Sequence, residues 1–103
     1  MSQKILIIED NAISRKMVRV ALEAEHYDVI EAADGKTSLT LMSEHTPDLV
    51  LQDLLLPDVN GFDLVKQLRA LPSGASIPIV ALTGLIAKAD AMQVAAARRS
   101  STP

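Results

Sequence analysis

The sequence predicts a single α/β domain built on a parallel sheet that is covered by helices on both faces. Two features lead to this prediction. Short runs of β-branched and leucine residues recur along the 103 residues, and each run is followed by a segment of helical character. Strands that alternate with helices are joined by right-handed crossovers, which give a doubly wound sheet. We therefore expect an architecture of about (βα)4.

The first predicted strand, Lys4–Ile8, lacks strict alternation, which is typical of a strand buried on both faces. Asn11 then provides a cap for a helix that extends from Ala12 to about Glu25. Apolar residues at helical spacing predict the inward face of this helix. They are Ile13, Met17, Val20, Ala21 and Ala24.

The second unit begins with a predicted strand at Tyr27–Ala32. Asp34 and Gly35 predict a turn into the second helix, which carries Leu39, Leu41 and Met42. The Thr46–Asp48 segment ends this unit, and the third strand follows at Leu49–Gln52.

After Asp53, the segment 54–61 is predicted to be a loop, because Pro57 and Gly61 are unfavourable in helices and strands. The third helix is expected from Phe62 to about Leu71. It is predicted to bury Phe62, Val65 and Leu68.

A connector at Pro72–Ser76 leads to a fourth strand at Ile77–Leu82. An alanine-rich helix is expected from Ala87 to about Arg99. Residues 1–99 are thus assigned to the domain, and residues 100–103 form a polar C-terminal end.

Composition limits the classes of function. The content of 49% hydrophobic and 22% charged residues indicates a globular domain, and the net charge of −3 gives no general attraction to nucleic acids or to an anionic bilayer. The chain has no cysteine and two isolated histidines, so a disulfide framework and a zinc site are not expected. The sequence predicts neither a signal peptide nor a membrane span, and we expect a cytoplasmic protein.

Acidic residues follow two of the predicted strands. Glu9 and Asp10 come after the first strand and Asp53 after the third, and the carboxyl ends of parallel strands meet at one crevice. Two like charges about 4 Å apart repel by about 4 kcal/mol at an effective dielectric constant of about 20. Such a cluster should take up protons or bind a hard cation, and Mg2+ suits these ligands. The alternative is that these acids only cap helices and turns.

The residue types suit phosphoryl transfer. A carboxylate such as Asp53 can act as a nucleophile toward phosphorus, and the Thr83 hydroxyl, at the end of the fourth strand, can reach a phosphoryl oxygen, unless Thr83 only caps a helix. No glycine-rich nucleotide-binding motif is present. Leu55 stands where an aspartyl-phosphate hydrolase would place a general acid, so rapid hydrolytic turnover is disfavoured.

The motifs Glu9-Asp10, Asp53-Leu54-Leu55-Leu56-Pro57, Gly61 and Thr83-Gly84 resemble those of receiver domains in two-component signalling, found in response regulators and hybrid histidine kinases. The resemblance extends from Lys4 to about Ala97. It implies a flavodoxin-like sheet of strand order 2-1-3-4-5.

The resemblance also implies roles for individual residues. Asp53 would accept a phosphoryl group from a histidine kinase or a His-phosphotransfer protein, and Thr83 would contact the phosphoryl group and switch the conformation. Glu9, Asp10, Asp53 and the backbone carbonyl of Leu55 would hold Mg2+. Such a protein is not an enzyme in the usual sense, because it assists only its own phosphorylation and dephosphorylation.

The sequence departs from the family pattern after its fourth strand, since residues 83–103 supply no fifth strand with its Lys-Pro and no fifth helix. Phosphorylation without that lysine is expected to be less efficient. The fourth strand would then be an edge, which favours a homodimer. An alternative reading is a degenerate receiver that serves as a dimerisation or docking module.

Overall fold

The computed structural model describes residues 3–82, which contain four parallel strands in one sheet of order β2-β1-β3-β4. The strands are β1 (Lys4–Ile8), β2 (Asp28–Ala32), β3 (Leu49–Asp53) and β4 (Ile79–Leu82). The helices are α1 (Ala12–Ala24), α2 (Gly35–His45) and α3 (Gly61–Ala70), and a 3-10 turn spans Pro72–Gly74. The predicted α/β fold class is therefore confirmed. The helix predicted at 87–99, Thr83 and the polar end lie outside the described residues.

The strand order explains where the helices lie. The chain moves in one direction along the sheet from β1 to β2, and in the other direction from β2 to β3 and β4. Because the crossovers are right-handed, α1 lies on one face of the sheet and α2 and α3 on the other. The order reverses between β1 and β3, and crevices that bind ligands form at such points.

An aliphatic core joins the sheet to α2 and α3. Alternate residues of β1, together with Val50 of β3, point to the same face. There they pack with Met42 from α2 and with Leu64 and Leu68 from α3, and all of these side chains are fully buried. Ile5 and Ile7 of β1 are also buried, so this strand is covered on both faces, as its sequence predicts.

The predicted inward face of α1 is wrong. Ile13, Met17 and Val20 are 68%, 53% and 52% exposed, and the helix instead buries Ser14. Val18 and Leu22, one and two turns after Ser14, are half-buried. The helix has two apolar stripes, so periodicity could not decide which one faces the sheet. The stripe that faces the sheet contains the buried Ser14, which lines the same crevice as Glu9 at the end of β1.

The predicted face of α3 is partly wrong. Leu68 is buried as expected and Val65 is half-buried, but Phe62 is 67% exposed and Leu64 is fully buried in its place. Phe62 lies about 200° around the helix from Leu64, so the two side chains cannot share a face. Phe62 is a large aromatic residue, a type for which burial is expected. The helix begins after its cap Asn60, and in this orientation Phe62 lies on the exposed side.

Paired substitutions in α3 test this assignment. Leu64→Ala should lower the free energy of unfolding by about 2–5 kcal/mol, because it leaves a cavity in the core. Phe62→Ala should cost about 1 kcal/mol or less, because it removes a side chain from the surface. Urea denaturation of the two variants measures both values. Equal losses, or a greater loss for Phe62→Ala, would contradict the described packing.

Candidate functional site

Three carboxylates converge at the carboxyl ends of β1 and β3. These strands are parallel neighbours with Ile8 opposite Gln52, so the next residues, Glu9 and Asp53, come side by side. Glu9 and Asp53 are buried at 2% and 3% exposure, while Asp10 is exposed. One carboxylate oxygen from each of the three residues lies within 4.8 Å of the others. The convergence expected from the strand order is therefore found.

The backbone after β1 separates the two neighbouring acids. The Glu9 amide still donates to the Ala32 carbonyl at 3.0 Å, so Glu9 continues the sheet. Asn11 then caps α1, and its side-chain oxygen accepts from the amides of Ile13 and Ser14 at 3.0 and 2.9 Å. The short turn between sheet and helix leaves Asp10 at the surface.

The segment after Asp53 folds back on the end of β3. One Asp53 oxygen, Oδ1, accepts a hydrogen bond from the Leu55 amide at 3.0 Å. Leu55 in turn forms an isolated antiparallel bridge with Asn60, which closes the loop just before α3. The Leu55 side chain is 76% exposed and lines the crevice. This hydrogen bond orients the Asp53 carboxylate and leaves its other oxygen for a ligand.

A buried amide and a glycine hold the far end of the same loop. Gln52, fully buried on β3, donates from Nε2 to the Gly61 carbonyl at 2.7 Å. A Cβ at Gly61 would lie 2.6 Å from the Leu54 Cα, so only glycine allows this close approach of the two backbones. The chain segments before and after the loop are thereby fixed to each other.

The charge of the cluster is not neutralised by a neighbouring side chain among residues 3–82. The one nearby guanidinium, that of Arg15, donates to the Glu9 backbone carbonyl at 2.9 Å and pairs with Glu31 at 3.3 Å. Glu9 Oε2 is buried and has no hydrogen-bond partner in the described part of the chain. An unpaired buried carboxylate is costly unless it gains a proton or a cation.

Burial raises the pKa of the Glu9 carboxyl from 4.5 to about 8. A hydrogen bond with Asp53 and the negative charges of Asp53 and Asp10 raise this pKa further, and a hydrogen bond with Ser14 opposes them. Because this pKa lies above neutral pH, a divalent cation that binds these carboxylates competes with a proton on Glu9.

The donor set fits Mg2+. Three carboxylate groups, one orphaned buried oxygen and an open crevice of about 550 Å3 match a hard cation that keeps several waters. Besides the three acids, the crevice is lined by Asn11, Ile13, Ser14 and Leu55. Sequence reasoning missed Ser14, although its place one turn into the helix after the acidic pair was a usable signal. The metal-ligand roles, including that of the Leu55 carbonyl, stay predictions, and Thr83 lies outside the described residues.

The sequence pattern of the response regulator receiver domain family matches residues 5–101. The polar-differentiation response regulators DivK of Brucella ovis and Brucella abortus are 37% identical over 90 residues, which is 87% of this chain and 73% of theirs. The chain belongs to the response regulator receiver domain family, whose members are two-component signalling modules.

Solved structures agree with this assignment. A CheY-like receiver domain from Methylobacillus flagellatus has a TM-score of 0.77 and 35% identity, over 85% of this chain and 75% of that one. The receiver domain of a sensor histidine kinase from Pseudomonas aeruginosa, with a magnesium ion coordinated in its active site cleft, also has a TM-score of 0.77, with 29% identity. That match covers 89% of this chain and 75% of the other. Within residues 3–82, no helix has the length and apolar character needed to cross a membrane.

The raised pKa of Glu9 predicts how stability depends on pH and Mg2+. The folded-state pKa of about 8 is above the unfolded value of 4.5, so the folded protein binds more protons between these values. The stabilisation that Glu9 contributes through this proton binding is complete below pH 4.5 and is lost as the pH rises through about 8. Because Mg2+ must displace this proton, it should raise the melting temperature more at a pH of about 9 than at a pH of about 6.

Glu9→Gln should remove most of the pH dependence of the melting temperature and of its response to Mg2+, since the amide does not titrate. Glu44→Gln, which removes the same charge from an exposed position on α2, is the matched control and should keep it. Thermal melts with and without Mg2+ at both pH values provide the measurement. An equal effect of Mg2+ at the two pH values would show that no proton competes for the site.

Proposed function

We propose that this protein is a phosphoacceptor receiver domain, in which Asp53 takes a phosphoryl group from the phosphohistidine of a histidine kinase or a His-phosphotransfer protein. The observation that carries the proposal is the convergence of Glu9, Asp10 and Asp53 within 4.8 Å, with Asp53 buried at a strand end. Membership of the receiver family supports the same function.

In the proposed reaction, an Asp53 oxygen attacks phosphorus as the phosphorus–nitrogen bond of the phosphohistidine breaks. The imidazole nitrogen takes the electron pair of that bond, and a proton then neutralises it. The hydrogen bond from the Leu55 amide to Asp53 Oδ1 orients the carboxylate, so the other oxygen is the proposed nucleophile. The role of the surrounding residues is positioning, because little covalent chemistry is required of the protein.

Mg2+ is the proposed cofactor, held by Glu9, Asp10, Asp53 and the Leu55 carbonyl. When bound, it supplies positive charge that offsets the negative charge on the phosphoryl oxygens. The orphaned oxygen of Glu9 supports this ligand set. A related receiver from Pseudomonas aeruginosa coordinates magnesium in its active site cleft, which favours the same ion here.

The proposed output is a conformational switch. Phosphorylation adds charge at Asp53, and it shifts a two-state equilibrium to the extent that the phosphate makes different contacts in the two states. We assign Thr83 the contact with the phosphoryl group, from its place after β4 and its match to the family motif. In this proposal the protein assists its own phosphorylation and dephosphorylation and has no other catalytic activity. Its cytoplasmic location is part of the proposal.

The alternative function is a degenerate receiver that serves dimerisation or docking. The observation that favours it is the apolar surface of α1, where Ile13, Met17 and Val20 are each more than half exposed in the part of the chain that the structure describes. This alternative requires no phosphorylation of Asp53.

Labelling by a small phosphodonor such as acetyl phosphate separates the two functions. The wild-type protein should gain an acid-labile phosphate only with Mg2+, and Asp53→Asn should abolish it, because the amide cannot act as the nucleophile. Asp63→Asn, which removes an exposed carboxylate from α3, should label normally. Intact-protein mass spectrometry reports the added phosphate. Failure of the wild-type protein to label would favour the docking module.

The second proposal is a homodimer that forms through the outer edge of β4. Within residues 3–82, β4 pairs with β3 only, and Val80 on this strand is 47% exposed. Unpaired backbone groups at a sheet edge favour pairing with another chain. Size-exclusion chromatography with light scattering should therefore give a dimer mass.

Val80→Lys should shift this dimer toward monomer, because charge on an edge strand opposes pairing. Val20→Lys introduces the same charge on the exposed stripe of α1 and should leave a β4-mediated dimer intact. A wild-type protein that stays monomeric at every concentration would rule out the dimer. Dissociation by Val20→Lys alone would place the interface on α1 instead.

A further inference from the structure

The loop between β3 and α3 is attached to the start of α2 by one carboxylate. Asp58 Oδ1 accepts a hydrogen bond from the Gly35 amide at 2.9 Å, and Oδ2 accepts one from the Lys36 amide at 3.1 Å. Both amides belong to the first turn of a helix, where backbone N–H groups have no partner within the helix. The positive end of the helix dipole favours the negative charge of Asp58.

Asp58 is not the ordinary cap of this helix. That position is filled by Asp34, whose Oδ1 accepts from the Thr37 amide at 2.7 Å. The two carboxylates therefore bind different amides of the same helix end. Asp34 belongs to the segment before α2, whereas Asp58 comes from a loop more than twenty residues further along the chain. Of these two carboxylates, that of Asp58 connects the helix to the loop that follows Asp53.

Close packing reinforces the attachment. Gly35 is buried, and a Cβ built on it would lie 2.3 Å from Cγ1 of Val59, the residue after Asp58. The absence of a side chain at Gly35 thus allows the loop to rest directly on the helix backbone. The loop contacts α2 through both a bidentate carboxylate and an apolar neighbour.

The same loop contacts the phosphoacceptor. Leu55, three residues before Asp58, donates its amide to Asp53 Oδ1 and pairs with Asn60 on the other side of the loop. The Leu55–Asn60 bridge closes the loop, and Asp58 lies within it. At one end of this closed loop, the Leu55 amide orients Asp53. Movement of Asp58 away from α2 would free the residues that hold Leu55 in place.

We propose that Asp58 is a positioning residue for the Asp53 site, and that its attachment to Gly35 and Lys36 couples the start of α2 to the metal and phosphoryl crevice. The inference rests on the proposed function insofar as it concerns Mg2+. Coupling between two sites is reciprocal. Mg2+ binding at Asp53 therefore slows hydrogen exchange of the Gly35 and Lys36 amides, and loss of Asp58 weakens Mg2+ binding.

The test compares Asp58→Ala, Asp58→Asn and Asp34→Ala by calorimetric titration with Mg2+. Asp58→Ala should weaken Mg2+ binding about fivefold or more, the lower end of typical coupling between sites. Asp58→Asn keeps one acceptor oxygen and should fall between wild type and Asp58→Ala. Asp34→Ala removes a cap from the same helix without touching the loop, so its Mg2+ affinity should stay within about twofold of wild type. Equal weakening by Asp34→Ala and Asp58→Ala would overturn the proposal, because general loss of α2 stability would then explain both.

Hydrogen exchange of the Leu55 amide tests the attachment without Mg2+. It should be faster in Asp58→Ala and unchanged in Asp34→Ala, and an unchanged rate in Asp58→Ala would overturn the proposal. If the wild-type protein binds no Mg2+, the proposed phosphoacceptor function fails, and the exchange rates still decide whether Asp58 positions the Asp53 loop. The two failures are therefore distinguishable.

Discussion

Repulsion between buried carboxylates is the interaction on which the site depends. Glu9 and Asp53 end neighbouring parallel strands, so the register of the sheet forces them together with little access to water. Asp10 adds a third charge within 4.8 Å. At this separation the repulsion amounts to a few kcal/mol, which is a substantial fraction of the free energy of unfolding of a small domain. Burial and this repulsion raise the pKa of the Glu9 carboxyl, and Mg2+ is the cation we propose to relieve the repulsion in the functional state.

The surrounding structure keeps the carboxylates from moving apart. The Leu55 amide holds Asp53, the Gln52 side chain holds the start of α3 through Gly61, and Asp58 holds the loop against α2. These contacts use mostly backbone groups, so they depend on the path of the chain more than on the bulk of side chains. A loop restrained at several points can transmit a change in charge at Asp53 to the helix that it contacts.

The apolar surface of the domain follows from the same architecture. The sheet and helices α2 and α3 enclose the aliphatic core, whereas the outer stripe of α1 remains exposed in the described part of the chain. Ile13, at the crevice end of that stripe, also lines the acidic crevice, as does the exposed Leu55. Two exposed apolar side chains, those of Ile13 and Leu55, therefore lie at the crevice of the proposed phosphoacceptor, where a protein partner could cover them. A partner that covers them would also exclude water from the crevice and strengthen its electrostatic interactions.

The fold class, the succession of strands and helices along the chain, and the three acids of the crevice could all be predicted from the amino-acid sequence. Apolar runs such as Lys4–Ile8, and the acids that follow them, are local features of the sequence. Because the carboxyl ends of parallel strands meet at one crevice, these local features predict a site. The sequence could not decide which stripe of α1 faces the sheet, or that Leu64 rather than Phe62 is buried. Both choices depend on how each helix lies against strands that are distant in sequence. The attachment of Asp58 to α2 likewise joins segments more than twenty residues apart, and only the tertiary structure brings that carboxylate to the helix.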